Sequence, residues 1–321
     1  MHATAKAHPI QGLVKYHGMR DGELRYPYHD SISVCTAPSH TKTTVSFNAD
    51  EETYVVDGET VTGRGAERIQ SVLDRVRELA DIDRPARVES ENSFPTNVGF
   101  GSSSSGFAAL AMAGVEAAGL DLTRPEISTV ARRGSASAAR AVTGGFSVLY
   151  SGKNDEDCYA ERIETDLDDE LHVIAALVPT YKETEAAHAE ATESHMFDAR
   201  MAHIHEQMDE MRDALRAADF GRAFELAERD TLSLAATTIT GPSAWVYWQP
   251  QTVEIFNAVR QLRSDGVEVY FSGDTGASIY VNTTEQHVER VQETISDLGI
   301  ETRHWTVGGP AEVLADEQAL F

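Results

Sequence analysis

The run Phe94-Pro95-Thr96-Asn97-Val98-Gly99-Phe100-Gly101-Ser102-Ser103-Ser104-Ser105-Gly106-Phe107-Ala108-Ala109-Leu110 constrains the fold more than any other stretch. It sets two glycines and four consecutive serines directly before an alanine-rich apolar run. Glycine lets a backbone curl close to a ligand, and serine offers hydroxyl donors. A helix starting here would aim its unpaired N–H groups and positive dipole end into that curl, a setting suited to polyphosphate. A Ser/Gly linker that precedes a helix has the same composition. The apolar residues on both sides argue against a linker, which is usually polar throughout.

The chain's 321 residues suit two domains of ordinary size or one large α/β unit, and a hydrophobic content of 41% can bury a real core. Against 27 basic residues stand 52 acidic ones, a net charge of −25. Such a surface repels nucleic acid and anionic membrane, so neither is an expected partner. Cations for a phosphate ligand must then be concentrated locally. Only five lysines occur (Lys6, Lys15, Lys42, Lys153 and Lys182), and the other basic residues are arginines. Acidic excess with few lysines fits a salt-rich, halophilic cytosol, where screening makes high charge tolerable. Cys35 and Cys158 are the only cysteines, so no disulfide framework is expected. No stretch approaches 18 apolar residues and the N-terminus has no apolar signal core, so the expected location is cytoplasmic.

The first sixty or so residues read as β-rich, with alternation over 31–34 and 43–47 and a strand over 53–56 that meets the turn pair Asp57-Gly58. A helix is expected over 66–80, with Ile69, Val72, Leu73, Val76 and Leu79 on one face. A strand over 87–90 feeds the serine loop, and a helix carrying Phe107, Leu110, Ala111 and Val115 follows it. Thr123-Arg124-Pro125-Glu126 is a capping-box start for one helix reaching about Ala139. Strands over 146–150 and 172–177 close the first half, and the acidic stretches 155–157 and 166–170 read as solvated loops. The second half reads as helices over 197–217, 222–229 and 252–263, strands over 267–272 and 278–281, a helix over 285–298 and a strand over 301–307. That order implies an antiparallel α+β layer. The boundary between two domains is set at 1–178 and 179–321.

Four clusters carry candidate chemistry. The first is Lys15-Tyr16-His17-Gly18-Met19-Arg20-Asp21, followed by His29-Asp30-Ser31-Ile32-Ser33-Val34; a mixed-charge surface turn would look similar. The serine loop is the second. The third is Arg132-Arg133-Gly134-Ser135-Ala136-Ser137-Ala138-Ala139-Arg140, followed by Gly144-Gly145. Its small residues clear space, its hydroxyls can meet a ligand, and the Arg140 fork matches a carboxylate or phosphate. A small-residue helix packed on a sheet has the same pattern. The fourth is Ser272-Gly273-Asp274-Thr275-Gly276, where an acid between glycines can reach a cleft and accept a hydroxyl proton, or can simply make an Asx turn. The twelve histidines show no metal-ligand spacing, and no G-x-S-x-G elbow marks a nucleophilic serine.

In this order the clusters resemble the GHMP kinase superfamily, and within it the mevalonate diphosphate decarboxylase branch, which includes phosphomevalonate decarboxylases. Lys15-Tyr16-His17-Gly18 is similar to the family's Lys-Tyr-Trp-Gly-Lys, and Asp30-Ser31-Ile32-Ser33-Val34 to its Asn-(Asp/Ser)-Ser-(Ile/Leu)-Ser-Val. Asn92 through Leu110 resembles its Asn-x-Phe-Pro-Thr-Ala-Ala-Gly-Leu-Ala-Ser-Ser-Ala-Ala-Gly-Phe-Ala-Ala-Leu. Ala131 through Gly145 resembles its Ala-Arg-x-Gly-Ser-Gly-Ser-Ala-x-Arg-Ser-x-x-Gly-Gly, and Asp274-Thr275-Gly276 its strand-borne Asp-Ala-Gly. The likeness implies an α+β fold of two domains, the first ribosomal-protein-S5-like and the second ferredoxin-like. It also implies homodimers.

The implied reaction is ATP-dependent decarboxylation of a phosphorylated mevalonate, with Mg²⁺. By position, Gly99, Gly101, Ser102, Ser103, Ser104 and Ser105 would hold the ATP phosphates, with Ser103 also a metal contact. Ser90 and Asn92 would lie near the nucleotide. Tyr16, Ser135, Ser137 and Arg140 would grip substrate, with Arg140 on its carboxylate. Asp274 would orient or deprotonate the 3-hydroxyl, and Lys15 would neutralise charge at the transferring phosphoryl group. Phosphoryl transfer is mostly positioning and charge stabilisation, so this set suffices chemically.

Three departures bear on the substrate. Met19 stands at the family's second lysine and His17 at its tryptophan, and Ile10-Gln11-Gly12 replaces Asn-Ile-Ala. No arginine occurs between Arg162 and Arg200, where some relatives supply one. Fewer cations favour mevalonate 5-phosphate over the 5-diphosphate as substrate, giving isopentenyl phosphate. The diphosphate reaction, a mevalonate 3-kinase that stops after phosphorylation, and a non-catalytic nucleotide-binding regulator are the alternatives.

Overall fold

The computed structural model describes residues 2–94, 102–179 and 188–321. The first half builds around a six-stranded sheet ordered β16-β1-β6-β9-β7-β8. Its strands are β1 (His2–Ala7), β6 (Thr41–Ser46), β7 (Thr53–Val56), β8 (Glu59–Thr60), β9 (Arg87–Asn92) and β16 (Glu312–Leu314). The turn at Asp57-Gly58 joins β7 to β8 as expected. Helices α1 (Gly63–Ala80), α2 (Ser102–Ala117), α3 (Arg124–Gly134) and α4 (Ala136–Thr143) belong to this half. Val72, Leu73 and Val76 of α1, Ala108, Ala109 and Ala113 of α2, and Val130 of α3 meet Ala5, Val45 and Val88 of the sheet in one core. Leu79, expected on the buried face of α1, is 38% exposed in its last turn.

An eight-stranded sheet joins the two halves. Its path is β11-β10-β5-β15-β12-β14-β13, with β2 also pairing to β5. These are β2 (Ile10–Val14), β5 (Ser31–Ala37), β10 (Phe146–Leu149), β11 (Ala160–Arg162), β12 (His172–Leu177), β13 (Val269–Ser272), β14 (Ile279–Thr283) and β15 (Glu301–Val307). The second-half strands pair antiparallel, as the helix-strand-strand-helix-strand order implies. Late in the chain, β15 pairs with β5 and β16 with β1, so the C-terminal segment returns to the first half. A small ribbon, β3 (Met19–Asp21) with β4 (Tyr26–Pro27), begins within the first cluster. Four helices complete the second half among the described residues: α5 (Phe197–Arg216), α6 (Phe220–Ile239), α7 (Pro250–Ser264) and α8 (Val288–Ser296).

Three further differences from the sequence expectation bear on the helices and the acidic stretches. The helix expected to run from Thr123 to about Ala139 is two helices, broken at Ser135, whose φ of −161° and ψ of 129° are extended. Phe107 presses on the preceding residue: a Cβ at Gly134 would lie 2.1 Å from its ring. Helix α6 runs ten residues beyond the expected end at Arg229. Its second half is threonine-rich, a composition of low helix propensity. The hydroxyls of Thr231, Thr237 and Thr240 donate back to the carbonyls of Ala227, Ser233 and Ala236, which satisfies them inside the helix. The acidic stretches are not simply solvated. Asp155 pairs with Arg132 and Arg133, and Leu167 between two aspartates is fully buried.

Candidate active site

Strand β2 carries Gly12 and ends just before Lys15, and it is tied to the β13–β14 hairpin by a buried amide. Gln11 Nε2 donates to Ser272 Oγ and to Asn282 Oδ1, both at 2.7 Å. This cross-link sets the turn bearing Asp274 beside Gly12. A Cβ on Gly12 would sit 2.7 Å from Asp274 Oδ1 and 2.6 Å from Lys15 Cγ, so only glycine leaves both side chains where they are. Tyr280 OH donates to Asp274 Oδ2 at 3.5 Å. Burial, with Asp274 adding to it, pushes the Tyr280 phenol well above its usual value, so it stays a donor.

Lys15 is buried and paired. Its Nζ lies 3.2 Å from Asp230 Oδ2 and 3.4 Å from Thr231 Oγ1, and Thr231 Oγ1 also accepts from Gly273 N at 3.0 Å. The lysine and the Asp274 turn therefore share one hydroxyl on α6. Arg140, on α4, is 3% exposed, and its Nε and Nη1 have no hydrogen-bond partner among the described residues. Its guanidinium stacks 5.6 Å from the Tyr16 ring centroid. Tyr16 OH in turn shares a 3.2 Å hydrogen bond with Ser137 Oγ. Burial lowers the Arg140 pKa, while Tyr16 and Asp274 oppose that. A buried fork with open donors is costly unless an anion meets it.

These groups surround one cavity of about 510 Å³. Lys15, Tyr16, Ser103, Ser104, Ser135, Ser137, Arg140 and Asp274 all line it. That volume suits a small-molecule site. The break at Ser135 turns the start of α4 toward it, and the first turn of α2 reaches it through Ser103 and Ser104. Ser104 Oγ accepts from Ile10 N at 3.1 Å. Gly99 and Gly101 lie outside the described residues, and of Ser102 only its place at the start of α2 is described.

Three expected residues stand apart from that lining. Ser105 Oγ bonds Thr41 Oγ1 at 2.7 Å, and Ser90 Oγ bonds Thr43 Oγ1 at 2.8 Å, both buried where α2 and β9 meet β6. Asn92 accepts from Thr41 Oγ1 at 2.7 Å and donates Nδ2 to Asp57 Oδ2 at 2.9 Å, so its amide braces the strand end. Sequence reading missed Asp230, Arg200, Tyr280 and Gln11, which hold the named residues in place, and Arg25 and Arg68, which also line the cavity. A polar residue inside an apolar helical stripe, as Asp230 is, was the available signal.

Two family profiles cover most of the chain: the diphosphomevalonate decarboxylase-like N-terminal domain over residues 7–160, and the mevalonate 5-diphosphate decarboxylase C-terminal domain over residues 178–308. The chain belongs to the diphosphomevalonate decarboxylase-like family. Within that family it is 72% identical to the phosphomevalonate decarboxylase of Haloferax volcanii, over 100% of both chains. The mevalonate diphosphate decarboxylase of Staphylococcus aureus superposes with a TM-score of 0.93 at 28% identity, covering 98% of each chain. A structure designated MDDEF, in complex with MVAPP, AMPPCP and magnesium, superposes with a TM-score of 0.91 at 28% identity over 98% of this chain and 99% of that one. The two-domain fold expected from the resemblance is thus the family's fold. Among the described residues no helix is long and apolar enough to cross a membrane.

Proposed function

We propose that this chain catalyses the ATP-dependent decarboxylation of mevalonate 5-phosphate to isopentenyl phosphate, with release of ADP, phosphate and CO2. The observation that carries the reading is the buried Arg140 fork, with Nε and Nη1 unpartnered, in one cavity with Asp274 and the first turn of α2. Identity to the Haloferax volcanii phosphomevalonate decarboxylase supports the monophosphate as substrate.

Arg140 takes the C1 carboxylate through its open donors. Ser135, Ser137 and Tyr16 supply hydroxyls to the rest of the substrate. Asp274 receives the proton of the 3-hydroxyl as that oxygen attacks the γ-phosphorus of ATP, and Tyr280 holds the carboxylate's far oxygen. Lys15, fixed by Asp230 and Thr231, adds positive charge at the transferring group. In the second step the C3–O bond breaks with its electron pair leaving on phosphate. The C1–C2 pair becomes the C2=C3 double bond, and CO2 departs from the Arg140 end.

Backbone N–H groups at the start of α2 and the Ser103 hydroxyl suit the ATP phosphates, with Gly99, Gly101 and Ser102 assigned to the same loop. Among the described residues no group of three metal-ligating His, Cys, Asp or Glu side chains occurs. The Ser103 hydroxyl would be a protein contact for Mg²⁺, a hard cation that takes oxygen ligands and commonly keeps substrate phosphates among them. The ion would neutralise phosphate charge during transfer. The division at 178/179 assigns nucleotide binding to the first domain and Asp274 to the second.

The test is to supply ATP, Mg²⁺ and mevalonate 5-phosphate and to follow ADP and CO2 together. Equal release of both is expected. ADP without CO2 would turn the reading to a 3-kinase.

A further inference from the structure

Arg25 and Arg68 reach the cavity from distant segments, one before β4 and one on α1, and are held by adjacent carbonyls. Arg25 Nε donates to Arg133 O at 3.1 Å, and Arg68 Nε donates to Gly134 O at 2.8 Å. Those carbonyls end α3, where the helix dipole is negative and unpaired acceptors point outward. Each Nε anchor leaves the Nη edge of its fork for something else. Neither arginine has a carboxylate partner among the described residues, although most arginines of this acidic chain do. Both line the cavity, as does Met19, which replaces the family's second lysine.

The pair is held against resistance. Arg25 has a φ of 56°, a region that side chains other than glycine rarely occupy unless the surroundings enforce it. The Arg68 guanidinium carbon lies over the Phe107 ring, 4.6 Å from its centroid. Burial lowers both pKa values, and the Arg25 charge depresses Arg68 further, to about 10; a guanidinium stays cationic at neutral pH. His188 adds no charge: burial and Arg25 push it down to about 4, and its Nδ1 accepts from Gly18 N at 3.2 Å.

We propose that Arg25 and Arg68 form a two-armed clamp for the 5-phosphate of the substrate and select a single phosphate. Two like charges side by side, with no acid between them, match the charge of about −2 carried by a phosphate monoester. A diphosphate would bring charge that Met19 cannot meet. The clamp rests on the phosphomevalonate reading above and adds the subsite that reads the phosphate end. The C1 end belongs to Arg140.

The experiment compares Arg25→Gln and Arg68→Gln with the wild-type enzyme. Each is expected to raise KM for mevalonate 5-phosphate by about tenfold or more, with KM for ATP within about twofold of wild type. Arg25→Lys and Arg68→Lys, which keep the charge but lose the fork, should fall in between. A rise in KM for ATP instead, or no change in either constant, overturns the clamp. Should the glutamine variants fail to fold, inorganic phosphate tested on the wild-type enzyme decides. Inhibition competitive with mevalonate 5-phosphate supports the clamp, and inhibition competitive only with ATP, or none, contradicts it. Wild-type enzyme that turns over no mevalonate 5-phosphate would instead remove the reading of the reaction, so the two failures are distinct.

Discussion

Asp230 grips Lys15 at two points: its Oδ2 accepts the backbone N–H at 2.9 Å and the ammonium at 3.2 Å, while its Oδ1 accepts from Arg200 Nη2 at 2.8 Å. Arg200 closes the ring by donating to the Lys15 carbonyl at 2.6 Å. All three side chains are buried. The end of β2 is thereby fastened to α5 and α6 through a carboxylate between two cations, and Lys15 is held in place.

Asp230→Asn leaves two buried cations without their counter-charge. Breaking such a set costs about 3–5 kcal/mol, so the urea midpoint should fall sharply. Burial alone would raise the Asp230 pKa, but Arg200 and Lys15 outweigh it and hold the carboxyl below its usual range. A depressed folded pKa means that this stabilisation is present above about pH 4 and is lost as pH drops below it. A variant within about 1 kcal/mol of wild type would contradict the role assigned to this triad.

Gly12→Ala tests the close approach of Asp274 and Lys15. Both contacts of the added Cβ are side-chain atoms, so the fold should survive while the two functional groups shift. Turnover is expected to drop about a hundredfold with little change in thermal midpoint. Undiminished kcat would mean that the spacing does not matter.

Asp274→Asn removes the carboxylate proposed to accept the hydroxyl proton and should abolish turnover while ATP still binds, read by nucleotide titration. Arg140→Lys keeps a charge but loses the fork, and should raise KM for the substrate by about tenfold. Wild-type activity in the first variant, or unchanged constants in the second, would strip the residue of its role.

Two imidazoles with lowered pKa values, His29 buried and His188 partly buried, predict an acid-side loss of stability. Burial, then the Arg200 charge, pushes His29 down to about 4, and His188 is likewise near 4. Their ordinary value is 6.5, so an unfolded chain takes up protons first. Native stability is therefore full above pH 6.5 and declines as pH falls toward 4. Denaturation at pH 7.5 and pH 5 should show the loss, reduced in His29→Gln. A flat profile over that interval would contradict the lowered pKa values of these two histidines.

How much of this was legible in the chain depends on distance along it. Lys15, Tyr16, Ser103, Ser135, Ser137, Arg140 and Asp274 sit in local motifs whose glycines and small residues mark them. The capping box at Thr123 was likewise local, with Thr123 and Glu126 bonding as read. The supports were not legible. Gln11 meets Ser272 and Asn282 across some 260 positions, and Arg200 meets Lys15 across 185. No period or spacing encodes such pairings. Strand β1 hid because its inward positions are alanines, Ala3, Ala5 and Ala7, which carry weak strand preference. No period marks the break at Ser135, next to the Gly134 that leaves room for the Phe107 ring, 27 residues earlier. Ser90 and Ser105 carry the right residue type, but their hydroxyls are spent on the threonines of β6.

The most direct measurement is steady-state kinetics with ATP and Mg²⁺ in high salt, on mevalonate 5-phosphate and mevalonate 5-diphosphate side by side, with the product identified. Isopentenyl phosphate and CO2 from the monophosphate, at a kcat/KM well above that for the diphosphate, is the predicted result. A clear preference for the diphosphate, or phosphorylation without CO2, would contradict it.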